Sequence, residues 1–397
     1  MSSQERFVVI VLASINFTHI MDAMIMMPLG DIFMDLYGIN PSQFSYLVSI
    51  YALAAFFSSL VATFLLDRFD RRNALIFVYT GFSIGTLLCG IANSYIFLLS
   101  VRLITGLFGG VIGALALSIV SDLFTYERRG AAIGVLTAGF SAAAALGVPV
   151  GLFLADQFSW NAPFLFIGSL GLLITIVIVT RFPRIKGHLD GDVVTQPLKI
   201  LQAIFTDSNQ VSALFLGMVL VLGHFLIIPF IAPYMTRNVG FDQSEITLIY
   251  FLGGLLTVFT APLIGRITDR FTPYPTFLVL MLISFIPVVW ITNMNLTPIP
   301  VALIATSLFF IFGSGRMIAP QTMITAAVGP TSRGSFMSVK SALQQLSVAL
   351  ASLISGSMIV FGSSNELLHY EDVGYLSIGI CVIAIFIGKR LTVAKGN

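Results

Sequence analysis

Apolar runs of roughly 20 residues, the length a helix needs to cross the hydrocarbon core of a bilayer, recur from one end of this chain to the other. They fall at residues 7–29, 44–66, 74–92, 96–120, 131–155, 162–180, 211–235, 245–267, 275–292, 300–327, 335–361 and 373–388, and predict twelve transmembrane helices. The breaks between them are mostly short and polar, punctuated by Gly or Pro. Composition follows from that solvent: 57% of the 397 residues are hydrophobic and only 10% are charged, against about 25% charged in a soluble domain. The expected fold class is an all-α polytopic membrane protein. One longer interruption, Arg181 to Gln210, holds Pro183, Gly187, Gly191 and Pro197. It divides the chain into an N-terminal six-helix bundle over 1–182, a cytoplasmic linker over 183–210 and a C-terminal six-helix bundle over 211–397.

Lys and Arg are retained in cytoplasmic loops, so their distribution predicts orientation. With both termini inside, sixteen of the twenty basic residues lie on the cytoplasmic side, Arg237 alone lies outside, and Arg102, Arg316 and Lys340 lie within spans. A net charge of +2 spread over loops gives no basic stripe for a nucleic acid. The first apolar run is too long for a signal-peptide core and lacks a cleavage site, so it is expected to remain as the first helix. Cys89 and Cys381 sit singly inside spans and read as packing residues, so neither a metal nor a cofactor is expected. Gly81-Phe82-Ser83-Ile84-Gly85 matches a hydrolase elbow in letters only, because it lies within an apolar helix rather than a strand–turn–helix.

The two halves repeat. Asp67-Arg68-Phe69 recurs as Asp269-Arg270-Phe271, 202 residues on, and Phe108-Gly109 with Arg129-Gly130 recurs as Phe312-Gly313 with Arg333-Gly334, 204 residues on. Two pseudo-symmetric bundles related by an axis along the membrane normal suit alternating access about a central site.

Three motifs resemble the major facilitator superfamily, and within it the drug:proton antiporter branch that includes sugar-efflux and multidrug-efflux members. The loop after helix 2 reads Thr63-Phe64-Leu65-Leu66-Asp67-Arg68-Phe69-Asp70-Arg71-Arg72, with Thr63 and Asp70 in place of the family's glycines. Helix 4 carries Arg102-Leu103-Ile104-Thr105-Gly106, and helix 5 carries Gly147-Val148-Pro149-Val150-Gly151 followed by Trp160. The resemblance implies gating roles for Asp67, Arg68, Arg71 and Arg72, for their counterparts Asp269 and Arg270, and for Gly147, Pro149 and Gly151. It further implies a cavity lined by helices 1, 4, 7 and 10, a monomer in a bacterial plasma membrane, and proton-driven efflux of a small amphipathic molecule. Topology alone accounts for Arg71 and Arg72 nearly as well. Small residues and Pro also serve close packing and bending without specifying direction.

Ionisable residues inside a span are costly and by default mark a substrate or proton pathway. Asp22 is the one acid well inside a span, ~22 Å from the start of helix 1 at 1.5 Å per residue. That is ~8 Å below the outer edge of a 30 Å core, and Arg102 in helix 4 lies at a matching ~9 Å. Asn16, His19 and Asp22 recur every third residue and form a polar stripe beside Met26. Asp22 is expected to carry the coupling proton, with Arg102 and His19 beside it; a permanent Asp22–Arg102 staple is the competing reading. In the second half, His224, Arg316, Lys340 and Gln344 are the candidate cavity residues, with Arg316 and Lys340 within ~8 Å of the cytoplasmic edge. Asp22 set against three cations leaves the membrane interior at +2, which favours an anionic or zwitterionic substrate. Snorkelling to the interface or binding of lipid head groups is the alternative for Arg316 and Lys340. Uptake, uniport or lipid movement by the same fold, and a receptor or assembly factor without flux, remain open.

Overall fold

The computed structural model describes residues 2–66, 69–185, 197–329 and 333–393. Its described elements are almost entirely helical; the exception is a two-stranded antiparallel ribbon, β1 (Val360–Phe361) with β2 (Leu367–Leu368). Eleven helical stretches among the described residues are long and apolar enough to cross a membrane. The twelfth expected span is α15 (Arg333–Met358), whose 26 residues give ~39 Å at 1.5 Å per residue. Its Lys340, Gln344, Gln345 and Ser347 make it more polar than the others. The chain is an all-α polytopic membrane protein, and its helices follow the predicted runs in order.

Contacts divide it into two compact units: Met1–Met26 with Ile50–Thr195, and Met27–Ser49 with Gln196–Asn397. The first contains α1 (Ser3–Ile25), most of α3 (Pro41–Leu65), α4 (Arg71–Gly90), α5 (Tyr95–Leu123), α6 (Tyr126–Ala142), α7 (Val148–Gln157) and α8 (Ala162–Arg181). The second contains α2 (Gly30–Tyr37), the start of α3, and α9 (Pro197–Thr206), α10 (Ser208–Phe225), α11 (Ile228–Tyr234) and α12 (Gln243–Phe271). With them are α13 (Pro273–Thr292), α14 (Ile299–Ala326), α15 and α16 (Tyr370–Arg390). In the first unit α1 packs on α6 and α8, and α4 on α5 and α8; in the second, α10 packs on α15 and α16, and α13 on α14 and α16. The sequence repeat is thus a repeat of helix pairings. The linker region is not all irregular, for α9 occupies part of it and buries Ile204 in the second unit's apolar cluster.

Interruptions in the helices set up the sites. Helix 1 stops at Ile25 rather than continuing to Leu29, because Pro28 has no N–H to extend the ladder. The chain restarts as α2, which ends at Gly38 in the left-handed conformation (φ 60°) that glycine adopts without steric cost. Helix 7 breaks between Phe225 and Ile228, and α11 carries Pro229 in its first turn, where an N–H would be unpaired anyway. π-helical turns at Ala143–Gly147 and Met235–Val239 add two more local departures of the kind found at functional sites.

Candidate functional site

In the first unit, Arg102 on α5 donates from Nη1 to Asp22 Oδ2 on α1 at 2.9 Å, and both side chains are buried (1% and 0% exposed). The Arg102 guanidinium also lies 4.2 Å over the Tyr51 ring of α3, a cation–π contact that fixes its plane. The depth match expected from sequence is therefore a direct contact. Glycines allow it: a Cβ at Gly106 would stand 2.9 Å from Tyr51 Cα, and one at Gly109 3.2 Å from His19 Nε2. Only hydrogen at these positions lets α5 approach α3 and α1 so closely. Several buried polar atoms there lack a hydrogen-bond partner, namely both ring nitrogens of His19, Asp22 Oδ1, Tyr51 Oη and Arg102 Nε. His19 packs edge-on against Phe82, with ring centroids 5.5 Å apart. Asn16, at the far end of the expected stripe, instead donates to Leu136 O of α6 at 3.0 Å. Met26 is fully buried just past the end of α1.

The second unit holds a related arrangement with different charge. Arg316 on α14 is wholly buried, donating from Nη1 to Ser284 Oγ at 3.2 Å and from Nη2 to His224 Nδ1 at 3.3 Å. A guanidinium only donates, so this contact makes Nδ1 the acceptor and places the imidazole proton on Nε2. The His224 ring stacks on Phe309 at 5.6 Å, and a Cβ at Gly313 would stand 2.8 Å from its Cε1. The repeat explains the likeness. The 204-residue offset carries Gly109 onto Gly313, so each half sets a glycine of its fourth helix against a histidine of its first. The arginines are not equivalent positions of that repeat, for Arg102 precedes Gly109 by seven residues whereas Arg316 follows Gly313 by three. Lys340 is buried, with Nζ donating to Gln321 Oε1, and Gln344 follows one turn on, half-buried. Arg316 and Lys340 are thus inside the protein rather than snorkelling along a lipid-facing surface.

Of the gating candidates, Asp67 and Arg68 lie outside the described residues. Asp70, the departure from the family's glycine, caps α4 by accepting from the Arg72 N–H at 2.8 Å, with φ at −53°. No left-handed residue is needed there, so Asp serves. Arg71 is buried and binds Asp122 at 2.8 Å and Leu66 O at 2.7 Å, while Arg72 donates to the carbonyls of Ile178 and Val179 near the end of α8. Asp269 and Arg270 are exposed at the end of α12, with Arg270 5.3 Å from the Phe271 ring. Gly147 and Gly151 face helix 1, where Cβ atoms would stand 3.2 Å from Met21 Cγ and 2.6 Å from Ile25 Cδ1; Pro149 is buried between them in sequence.

Sequence reasoning missed one cluster. Arg237, in the π-helical turn after α11, donates to Asp31 and, at 2.5 Å, to Asp35, both on α2, and lies 4.9 Å from the Phe361 ring. Burial pushes the Asp31 carboxyl above its ordinary range; Arg237 opposes that shift and Asp35 adds to it. The signal was present: Arg237 is the single basic residue in loops otherwise depleted of them, and such a charge calls for a partner.

Duplicated bundles, interrupted first helices and buried charges set on facing helices define a multi-pass transport protein. The chain belongs to the Major Facilitator Superfamily, whose sequence profile matches residues 12–223 and 213–395. It is similar to the uncharacterized MFS-type transporter YbcL of Bacillus subtilis (strain 168), 24% identical over 349 residues, which are 87% of this chain and 86% of the relative. It is also similar to a "Probable sugar efflux transporter" of Helicobacter acinonychis (strain Sheeba), 25% identical over 224 residues and 56% of each chain. The solved D-xylose-proton symporter shares the fold, with a TM-score of 0.79 at 15% identity over 98% of both chains.

Proposed function

We propose that this transporter exports a small amphipathic organic molecule in exchange for protons, working by alternating access as a monomer in a bacterial plasma membrane with both termini inside. The observation that supports coupling is the buried Asp22–Arg102 contact of 2.9 Å. A carboxyl group there has two ways to be neutralised, by the guanidinium or by a proton. Protonation of Asp22 frees Arg102 to engage substrate, and return of Arg102 expels the proton, so the two are exchanged at one place. The unpartnered nitrogens of His19 beside it supply an acceptor along the way. Export, rather than uptake or uniport, is favoured by the helix 5 sequence Gly147-Val148-Pro149-Val150-Gly151 and by the name of the Helicobacter relative, a probable sugar efflux transporter. Asp67, Arg68, Asp269 and Arg270 act as the cytoplasmic gate on this reading.

The test is reconstitution of wild type and Asp22→Asn in liposomes loaded with a pH-sensitive dye, screened with anionic, zwitterionic and cationic amphiphiles. Substrate-triggered proton movement in wild type and its loss in the variant is the expected result. Coupled proton movement that survives in Asp22→Asn would sink the assignment. The second reading, a permanent staple, draws on the Tyr51 ring that holds Arg102 independently of Asp22. It predicts substrate flux in both proteins with no proton movement in either.

A further inference from the structure

Arg102 and Arg316 are both buried, yet among the described residues only Arg102 pairs with a carboxylate. Among the described residues the acids of the second unit are Asp31, Asp35, Asp207, Asp242, Glu245, Asp269, Glu366, Glu371 and Asp372, at helix ends, on α2 or in the loop before α16. None of them pairs with Arg316, whose described partners are the neutral Ser284 and His224. A guanidinium cannot shed its proton in a protein, and an ion held inside without a counter-charge is unfavourable. A counter-charge that the protein itself does not provide is one a ligand brings.

The arrangement specifies which kind. Ser284 Oγ accepts from Nη1 and donates its own hydrogen to Met281 O at 2.7 Å, so its hydrogen is committed and it fixes one corner of the guanidinium. The opposite edge is the one with spare capacity: Nε is buried without a partner, and Nη2 has only the 3.3 Å contact to His224. Nε–H and Nη2–H together form the planar fork that matches the two oxygens of a carboxylate. His224 is the removable partner, being half-buried where Arg316 is wholly enclosed, and standing one residue before the end of α10 at the break in helix 7. Irregular backbone at membrane depth belongs where it is enclosed by protein or lines a substrate path. One positive charge and a planar fork suit a monocarboxylate better than a dianion.

We propose that Arg316 is the recognition site for an organic carboxylate, whose two oxygens take Nε–H and Nη2–H as the His224 imidazole swings aside. This deepens the transport reading above and rests on it: the exported molecule is an organic acid, its carboxylate read in the second half while proton exchange occurs at Asp22 in the first. His224 is a positioning residue that covers the fork when no acid is bound.

Binding of benzoate and gluconate to the purified full-length protein, each against a neutral counterpart (benzamide and sorbitol), with benzenesulfonate added for oxyanion shape, tests this by shift in melting temperature. At least one carboxylate is expected to stabilise wild type while its neutral counterpart does not, and Arg316→Gln is expected to weaken that binding at least about tenfold. Arg316→Lys keeps the charge without the fork and is expected to recover only part of the affinity. Wild type needs no variant to fail: equal binding of acid and neutral counterpart, or no binding of either carboxylate, overturns the site. So does undiminished carboxylate binding by Arg316→Gln, with melting curves of the ligand-free variants showing that they are folded. Carboxylate binding without proton movement in liposomes would instead sink the coupling at Asp22 and leave this site standing.

Discussion

The two buried arginines make opposite predictions for stability. Arg102→Met leaves Asp22 enclosed with no counter-charge, since the 2.9 Å contact to Arg102 is its one ion pair. Removing one partner of a buried pair costs about 3–5 kcal/mol. Restoring neutrality with Asp22→Leu on top of Arg102→Met should recover most of that, giving a coupling of at least about 2 kcal/mol between the sites. Arg316→Met also gives up two hydrogen bonds, at 3.2 and 3.3 Å, both long for an ionised donor. Set against their ~1–3 kcal/mol is relief of an unpaired ion's desolvation, which is several kcal/mol. The ligand-free variant should therefore be unchanged or more stable by about 1–3 kcal/mol. Unfolding of the detergent-solubilised proteins by denaturing surfactant, followed by far-UV circular dichroism, measures Arg102→Met, Asp22→Leu, their double variant and Arg316→Met on one scale. Equal losses from Arg102→Met and Arg316→Met would refute the reasoning, because it would mean that the carboxylate makes no difference to a buried guanidinium here.

Two further predictions concern packing and the Arg237 cluster. A Cβ at Gly110 would stand 2.6 Å from Ala55 Cα, whereas one at Gly113 meets nothing within 4 Å; Gly110→Ala should cost about 1–3 kcal/mol and Gly113→Ala none, read as melting temperature in detergent. At Asp31 the folded carboxyl is raised above its ordinary 3.8, so the folded state binds this proton more tightly than the unfolded chain, and the group's contribution is greatest in acid and lost as pH rises through the raised value. Arg237→Ala removes the opposing charge, and the decline in melting temperature over that window should steepen relative to wild type; an unchanged pH profile would show that Arg237 does not act on Asp31.

How much of this was legible in the sequence depends on the range over which each constraint acts. The bilayer acts on every 20-residue window, so the spans could be read directly, and depth within a span was enough to bring Asp22 opposite Arg102. Proline acts locally too, yet the spans were drawn straight through Pro28 and Pro229, because whether a proline bends a span or stops it depends on packing, here around Ile25 and Phe225. The Arg237 cluster, by contrast, joins residues 206 and 202 positions apart, and Arg71 finds Asp122 at a separation of 51. No window contains those pairs; only the fold does. The same limit applied to Arg316. Counting charges gave an interior with more cations than acids, yet the count treats Arg102 and Arg316 alike, and they differ in whether the opposite helix carries aspartate or histidine. The duplication settles what that difference is made of. Glycine faces histidine in both halves, 90 residues apart in the first and 89 in the second, so the frame that brings helices 1 and 4, or 7 and 10, into contact has been kept. What differs within that frame is where the arginine stands, seven residues before the glycine in one half and three after it in the other, and the group beside it. On the proposed reading one half is neutralised by the chain itself and the other by an anion, an asymmetry that would let a proton and an acid be bound at separate places in a duplicated fold.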